Sequence, residues 1–115
     1  MDTPQVRLLH TDGCSPENTE KARAALEEAL AAVGLPVDGY EVVLVGTEAE
    51  ALTLGFVGGP AVLVDGMDAD PNVRDMRPGG LGCRAYLTPA GIAGAPAASM
   101  IETALREALK SSGAA

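Results

Sequence analysis

The sequence predicts an α/β fold in which a mixed four-stranded sheet carries helices on both faces, with its elements in the order βαβαββα. Three observations lead to this prediction. Short apolar runs of strand length alternate with segments in which apolar residues recur at helical spacing. A helix separates the first two runs, which requires a parallel strand pair and a right-handed crossover. The last two runs follow one another without a helix and can therefore pair antiparallel.

The first strand and the first helix have clear local signals. Gln5 to His10 (QVRLLH) is a mostly apolar run that ends at turn-forming residues. Ser15 suits the N-cap of the helix, and Pro16 suits the first helical position, where its missing N–H costs nothing. Gly34 is expected to end the helix. The helical stripe that joins these ends consists of small and aliphatic side chains, namely Ala22, Leu26, Ala29, Leu30 and Val33.

The middle of the chain predicts two more strands and a short helix. Tyr40 to Val45 (YEVVLV) is almost continuously apolar, as expected for a strand that is covered on both faces. Thr47 and Glu50 form the capping box of a helix that ends at Gly55. Ala61 to Val64 (AVLV) is the third strand.

The last part of the chain predicts a loop, a strand and a helix. Residues 66–82 read as an elaborated loop because prolines and glycines interrupt every run, and we expect its Asp68 and Asp70 to be solvated. Cys83 to Thr88 (CRAYLT) alternates in polarity and predicts the fourth strand. Pro96 opens the final helix, in which two apolar rows run side by side.

Composition limits the class of protein. The 115 residues are 47% hydrophobic, which suits one domain over residues 1–115. A formal net charge of -8 repels a phosphate backbone, so we expect no nucleic-acid partner. The chain has no apolar run of the roughly 18 residues that a membrane span needs, and it does not open on a signal segment. These features predict a cytoplasmic protein with no membrane partner.

Two cysteines are the reactive candidates, and they lie far apart in the sequence. In a reducing cytoplasm we expect Cys14 and Cys83 to be thiols. Cys14 precedes a predicted helix N-terminus, where the helix dipole lowers the pKa of a thiol. Glu17, one turn inside the helix, opposes this effect, so we expect a modest net lowering. A partly buried, unreactive thiol is the alternative, because cysteine is among the most buried residue types.

Two motifs resemble the thioredoxin-like superfamily in sequence and in placement. Cys14-Ser15-Pro16-Glu17 resembles the Cys-x-Pro-Cys active site of that family, with Glu17 in place of the resolving cysteine. Residues 55–64 (GFVGGPAVLV) resemble the approach to the family's cis-proline strand. Because the second motif cysteine is missing, a dithiol cycle within the motif is impossible here.

The resemblance implies a thioredoxin-like domain and assigns roles to its residues. Pro16, Gly59 and Pro60 would bind the substrate, and a cis bond before Pro60 would turn the neighbouring backbone toward the sulfur of Cys14. A trans proline at a strand edge is the alternative. A closer resemblance is to small bacterial thioredoxin-like proteins, some labelled alkylmercury lyase-like, which end in a stretch similar to residues 83–86 and have two separated cysteines.

The position of Cys83 decides whether the two cysteines can form a disulfide. If the fourth strand pairs antiparallel with the third, its start lies roughly 15 Å from Pro60 at 3.3 Å per residue. A disulfide to Cys14 needs Cα atoms within about 7 Å. The two cysteines can pair only if the loop 66–82 returns to the end of the third strand where Pro60 lies and the fourth strand begins after residue 83. Arg84 could stabilise a second thiolate, although neighbours on a strand point to opposite faces.

Three functions remain open at this point. In the leading hypothesis, Cys14 performs thiol–disulfide exchange with a protein or small-molecule thiol, beside Pro60, and Cys83 or an external thiol such as glutathione resolves the mixed disulfide. The second is a binding module that keeps the fold without the chemistry. The third is binding of a soft metal or an organomercurial by two thiolates. We expect no cofactor and no zinc site, and we expect His10, the single histidine, to face solvent.

Overall fold

The computed structural model describes residues 3–112, and its main sheet has four strands. The strands lie in the order β2-β1-β3-β4, and their bounds are Val6–His10 (β1), Glu41–Leu44 (β2), Ala61–Val64 (β3) and Met67–Asp68 (β4). β1 pairs parallel with β2 and antiparallel with β3, and β3 pairs antiparallel with β4. The predicted mixed four-stranded sheet is confirmed.

Helices cover both faces of this sheet, as predicted. They are α1 (Pro16–Ala32), α2 (Glu48–Leu54) and α3 (Ala98–Ser112). Neighbouring residues of β1 point to opposite faces, so Leu8 packs with α1 and α3 while Leu9 packs with Ala51 and Phe56 beside α2. Among residues 3–112, no helix combines the length and the apolar character that crossing a bilayer requires.

The ends of α1 and α2 form where the local signals place them, whereas α3 begins at Ala98 and not at Pro96. The Ser15 hydroxyl accepts a hydrogen bond from the backbone N–H of Glu17 at 3.2 Å, which caps α1. The Thr47 hydroxyl accepts one from the backbone N–H of Glu50 at 3.1 Å, which caps α2. Gly55 ends α2 with a φ of 77°, a conformation that glycine adopts without a steric penalty.

The prediction that the second strand is covered on both faces is wrong. Val42 is 43% exposed and Leu44 is 48% exposed. The reason is topological, because among residues 3–112 the edge strand β2 has β1 as its one neighbour in the sheet. An apolar run that suits a central strand therefore lies at a partly open edge.

The predicted fourth strand at residues 83–88 is also wrong. The fourth strand of the sheet is β4, which follows β3 through the two-residue turn Asp65-Gly66. Both turn residues have positive φ, 52° and 80°, as a type I′ hairpin turn requires, and Asp-Gly is a strong sequence signal for that turn. Tyr86–Thr88 (β5) instead pairs antiparallel with Gly91–Ala93 (β6) in a separate two-stranded sheet.

Candidate functional site

The central feature of the site is a disulfide between Cys14 and Cys83, whose Cα atoms are 5.4 Å apart. The expectation of two thiols held apart by an antiparallel fourth strand is therefore wrong. The chain that leaves β4 returns to the start of β3, where the backbone N–H of Gly59 donates to the carbonyl oxygen of Gly82 at 3.0 Å. Gly59 and Cys83 form a parallel bridge there, which places Cys83 opposite Cys14.

Cys14 lies in a sheltered position at the amino end of α1. The residue is 8% exposed, and its backbone N–H donates to the carbonyl oxygen of Thr11 at 3.2 Å. It directly precedes Ser15, the N-cap, so the partial positive charge of the helix terminus lies next to it. Glu17, whose charge opposes this effect, is exposed. After reduction, a Cys14 thiolate would sit where peptide dipoles favour negative charge.

Cys83 differs in that it is exposed to solvent. Its sulfur lies 3.5 Å from the carbonyl oxygen of Gly13. A disulfide sulfur carries no proton, so in this state the approach is a contact, whereas a reduced thiol could donate a hydrogen bond to that oxygen. Both sulfurs of the pair thus lie beside the turn between β1 and α1.

The Gly59–Pro60 peptide bond is cis, as the family resemblance implies. Gly59 and Pro60 are both buried. The Pro60 carbonyl accepts a hydrogen bond from the Tyr86 hydroxyl at 2.6 Å, and the Gly59 N–H is taken by Gly82. The Gly59 N–H and the Pro60 carbonyl lie in the backbone that we expected to bind an extended substrate. Both are already hydrogen-bonded to the segment that carries Cys83.

A cleft of about 300 Å³ opens on the other side of Cys14. Pro16, one of the predicted substrate-binding residues, is exposed and lines it. His10, which we expected to face solvent, is half-buried in its wall. Arg23, also in the wall, donates to the Tyr40 hydroxyl at 2.8 Å.

Next to the disulfide lies a buried ionic cluster that the sequence did not reveal. Arg84 donates to both carboxylate oxygens of Asp68, at 2.6 and 2.8 Å, and lies 3.8 Å from the carboxylate of Asp70. The guanidinium carbon stands 4.2 Å from the centre of the Tyr86 ring. The expectation that Asp68 and Asp70 are solvated is wrong, since both are buried. Arg84 is directed into this cluster and bonds carboxylates there, a role different from stabilising a thiolate.

Burial and charge act together on the ionisable groups of this cluster. Burial lowers the pKa of Arg84, but the hydrogen bond to Asp68 and the charges of Asp68 and Asp70 outweigh it and leave that pKa above its usual value. Burial raises the pKa of Tyr86 well above its usual value of 10.0. The cluster therefore contains a permanent cation, and the tyrosine stays neutral over the physiological range of pH.

Fold and site together define a mixed α/β protein with a disulfide that joins the amino end of its first helix to the segment before β5. Within residues 3–112, no group of three or more histidine, cysteine or acidic side chains is arranged to hold a metal ion. Comparisons of the chain with models of protein families, with curated proteins and with solved structures give no match.

We predict that Arg84→Met strongly destabilises the protein. The substitution leaves the Asp68 carboxylate buried without its cation, which typically costs about 3–5 kcal/mol of the free energy of unfolding. Arg7→Met is the matched control, because Arg7 pairs at 3.0 Å with Glu41, whose side chain is 60% exposed. A pair of that kind contributes about 0–1 kcal/mol. Urea denaturation of the oxidised proteins measures both, and equal small losses would contradict the prediction.

We predict that Tyr86 makes the protein sensitive to alkali. Its pKa is raised in the folded state, so its contribution to stability is complete below pH 10 and is lost as the pH rises beyond the unfolded value of 10.0. Above that pH, ionisation of one tyrosine lowers the free energy of unfolding by up to about 1.4 kcal/mol per pH unit. Tyr86→Phe removes this dependence of the free energy of unfolding on pH. The dependence that arises from Tyr40 remains, because burial raises the pKa of that residue as well. Urea denaturation at pH values from about 9 to 11 measures the free energy of unfolding of both proteins. An equal loss of that free energy with rising pH in the two proteins would contradict the prediction.

Proposed function

We propose that this chain is a thioredoxin-like protein that performs thiol–disulfide exchange, with Cys14 and Cys83 as its redox pair. One observation carries the proposal. The disulfide joins a cysteine at the amino end of a helix to an exposed cysteine, so that one sulfur is favoured as an anion and the other can be reached from solvent.

The topology supports the thioredoxin-like assignment. The mixed sheet, with the order β2-β1-β3-β4, a parallel first pair and antiparallel second and third pairs, is compatible with such a domain. The proposed pair differs from the motif in one respect. The second sulfur comes from Cys83, which lies beside Gly59 at the start of β3, while Glu17 occupies the motif position.

The proposed reaction is a two-electron exchange. Two thiols of a partner, or one dithiol, are oxidised to a disulfide while the bond between Cys14 and Cys83 is reduced to two thiols, which take up the two protons. The reverse direction oxidises the pair and reduces the partner. Each direction passes through one mixed disulfide, so the partner class is a protein or small-molecule thiol or disulfide.

The reduction potential tests this proposal. A disulfide that only staples a fold has a potential below about -300 mV, whereas exchange-active pairs lie between about -270 and -120 mV. We expect a value in the second range, measured by equilibrating the protein in thiol–disulfide buffers and quantifying both forms by mass spectrometry. A value below the first limit would end the redox proposal.

Single cysteine variants test the proposal independently. Cys14→Ser and Cys83→Ser should each lower the rate at which the protein couples the reduction of oxidised glutathione to the oxidation of a dithiol peptide by at least about tenfold, because neither variant can close the internal disulfide. Ser111→Ala is the control, since it changes an exposed hydroxyl near the end of α3 and should leave the rate unchanged. Full activity of Cys14→Ser would show that the exchange does not need the internal disulfide and would contradict the proposed redox pair.

The closeness of the two sulfurs also favours a second function, the binding of a soft metal ion or an organomercurial by the reduced pair. Two adjacent thiolates can hold such an ion between them. We predict that Cys83→Ser lowers the affinity of the reduced protein for Hg²⁺, which titration against a competing thiol would measure. Equal affinities of the variant and the parent chain would exclude this function.

A further inference from the structure

The two sulfurs of the disulfide are not equivalent, and this difference bears on the proposed exchange reaction, on which the inference rests. Cys14 is 8% exposed, whereas Cys83 is exposed. An attacking thiolate must reach a sulfur along the line of the bond that breaks, so access is one of the factors that decide which sulfur reacts. Exposure favours Cys83.

The backbone around the disulfide favours the same sulfur. On the side of β3, Gly58, Gly59 and Pro60 are buried, and the Gly59 N–H is bonded to Gly82. On that side the Gly59 N–H is therefore not available to a partner, because the segment that carries Cys83 already accepts its hydrogen bond. The cleft beside Pro16 is the competing route, because Cys14 forms part of its wall.

The leaving groups differ as well. Attack at Cys83 leaves the electron pair of the broken bond on the sulfur of Cys14, next to the amino end of α1, where the helix dipole stabilises an anion. Attack at Cys14 leaves it on the sulfur of Cys83, which lies 3.5 Å from the carbonyl oxygen of Gly13. The negative end of that dipole disfavours a thiolate. Exchange is faster when the departing thiol is the more acidic one.

We propose that Cys83 is the residue that exchanges with the partner and that Cys14 is the leaving group and resolving thiolate. A partner thiolate attacks the sulfur of Cys83, a bond forms between these two sulfurs, the disulfide breaks, and the Cys14 thiolate departs. A second partner thiolate then attacks the partner sulfur of the mixed disulfide, which gives the partner disulfide and the Cys83 thiolate. In the direction that oxidises this protein, the Cys83 thiolate attacks a partner disulfide and expels one partner thiolate, and the Cys14 thiolate then attacks the sulfur of Cys83 and expels the other.

Arg84 contributes to this reaction by holding the segment that carries Cys83 to β4 through its ion pair with Asp68. While Cys83 carries the partner, the disulfide no longer holds its segment, but the ion pair with Asp68 and the hydrogen bond from Gly59 to Gly82 still hold it. Both tie Cys83 to the end of the sheet next to Cys14. The Cys14 thiolate therefore stays within reach of the mixed disulfide.

Mapping of the mixed disulfide in the unaltered chain tests the assignment. The oxidised protein is mixed with 2-mercaptoethanesulfonate, quenched with acid within the first turnover, digested without reduction, and analysed by mass spectrometry. We expect the adduct on the peptide that contains Cys83, in at least about tenfold excess over the peptide that contains Cys14. An adduct mainly on Cys14 would overturn the assignment and would indicate entry through the cleft.

Two variants repeat the test in the opposite direction. With oxidised glutathione, Cys14→Ser should accumulate a mixed disulfide on Cys83 faster than Cys83→Ser accumulates one on Cys14, by about tenfold at equal thiolate fractions. Equal rates, or the reverse order, would contradict the assignment. The proposed function fails separately, when the reduction potential of the unaltered pair lies in the range of a structural staple.

Discussion

The site depends on one interaction, the ion pair that Arg84 makes with Asp68 in the interior of the protein. Both side chains are less than a tenth exposed, and the guanidinium is bound by two short hydrogen bonds and faces the ring of Tyr86. Removing two charges from water is costly, and only such geometry compensates for it. The arrangement fixes the position of Arg84 and thereby holds the adjacent Cys83 beside Cys14, to which it is bonded.

The same interaction connects the site to the sheet. Asp68 belongs to β4, the last strand of the sheet, while the Tyr86 hydroxyl bonds the carbonyl of Pro60 at the entrance to β3. The segment that carries Cys83 is thus held by two neighbouring strands. Cys14 is held by the other partner of β3, because it follows β1 and precedes the cap of α1. Cys14 and Cys83 lie together because β1 and β4, the strands that hold their segments, both pair with β3.

The helices and strands could largely be predicted from the sequence, but the contact between Cys14 and Cys83 could not. Ser15 and Gly55 act through bonds and dihedral angles within a few residues, so their roles as cap and helix end could be predicted from neighbours alone. The turn at Asp65-Gly66 carried a signal of the same local kind, and reading it as part of a loop displaced the fourth strand. That error moved Cys83 to the far end of β3. Nothing near Asp68 indicated that its cation lies 16 residues further along the chain.

The disulfide spans 69 positions of the sequence, and the size of this loop connects the redox state to the survival of the folded chain. Closing so long a loop in the unfolded ensemble reduces its entropy by an amount equivalent to about 4 kcal/mol at room temperature. By linkage, the free energy that the disulfide adds to folding equals the free energy by which folding stabilises the disulfide against reduction. A reduced molecule unfolds more often than an oxidised one, and proteases cleave chains in that open state. The redox balance around the protein would thereby set its lifetime.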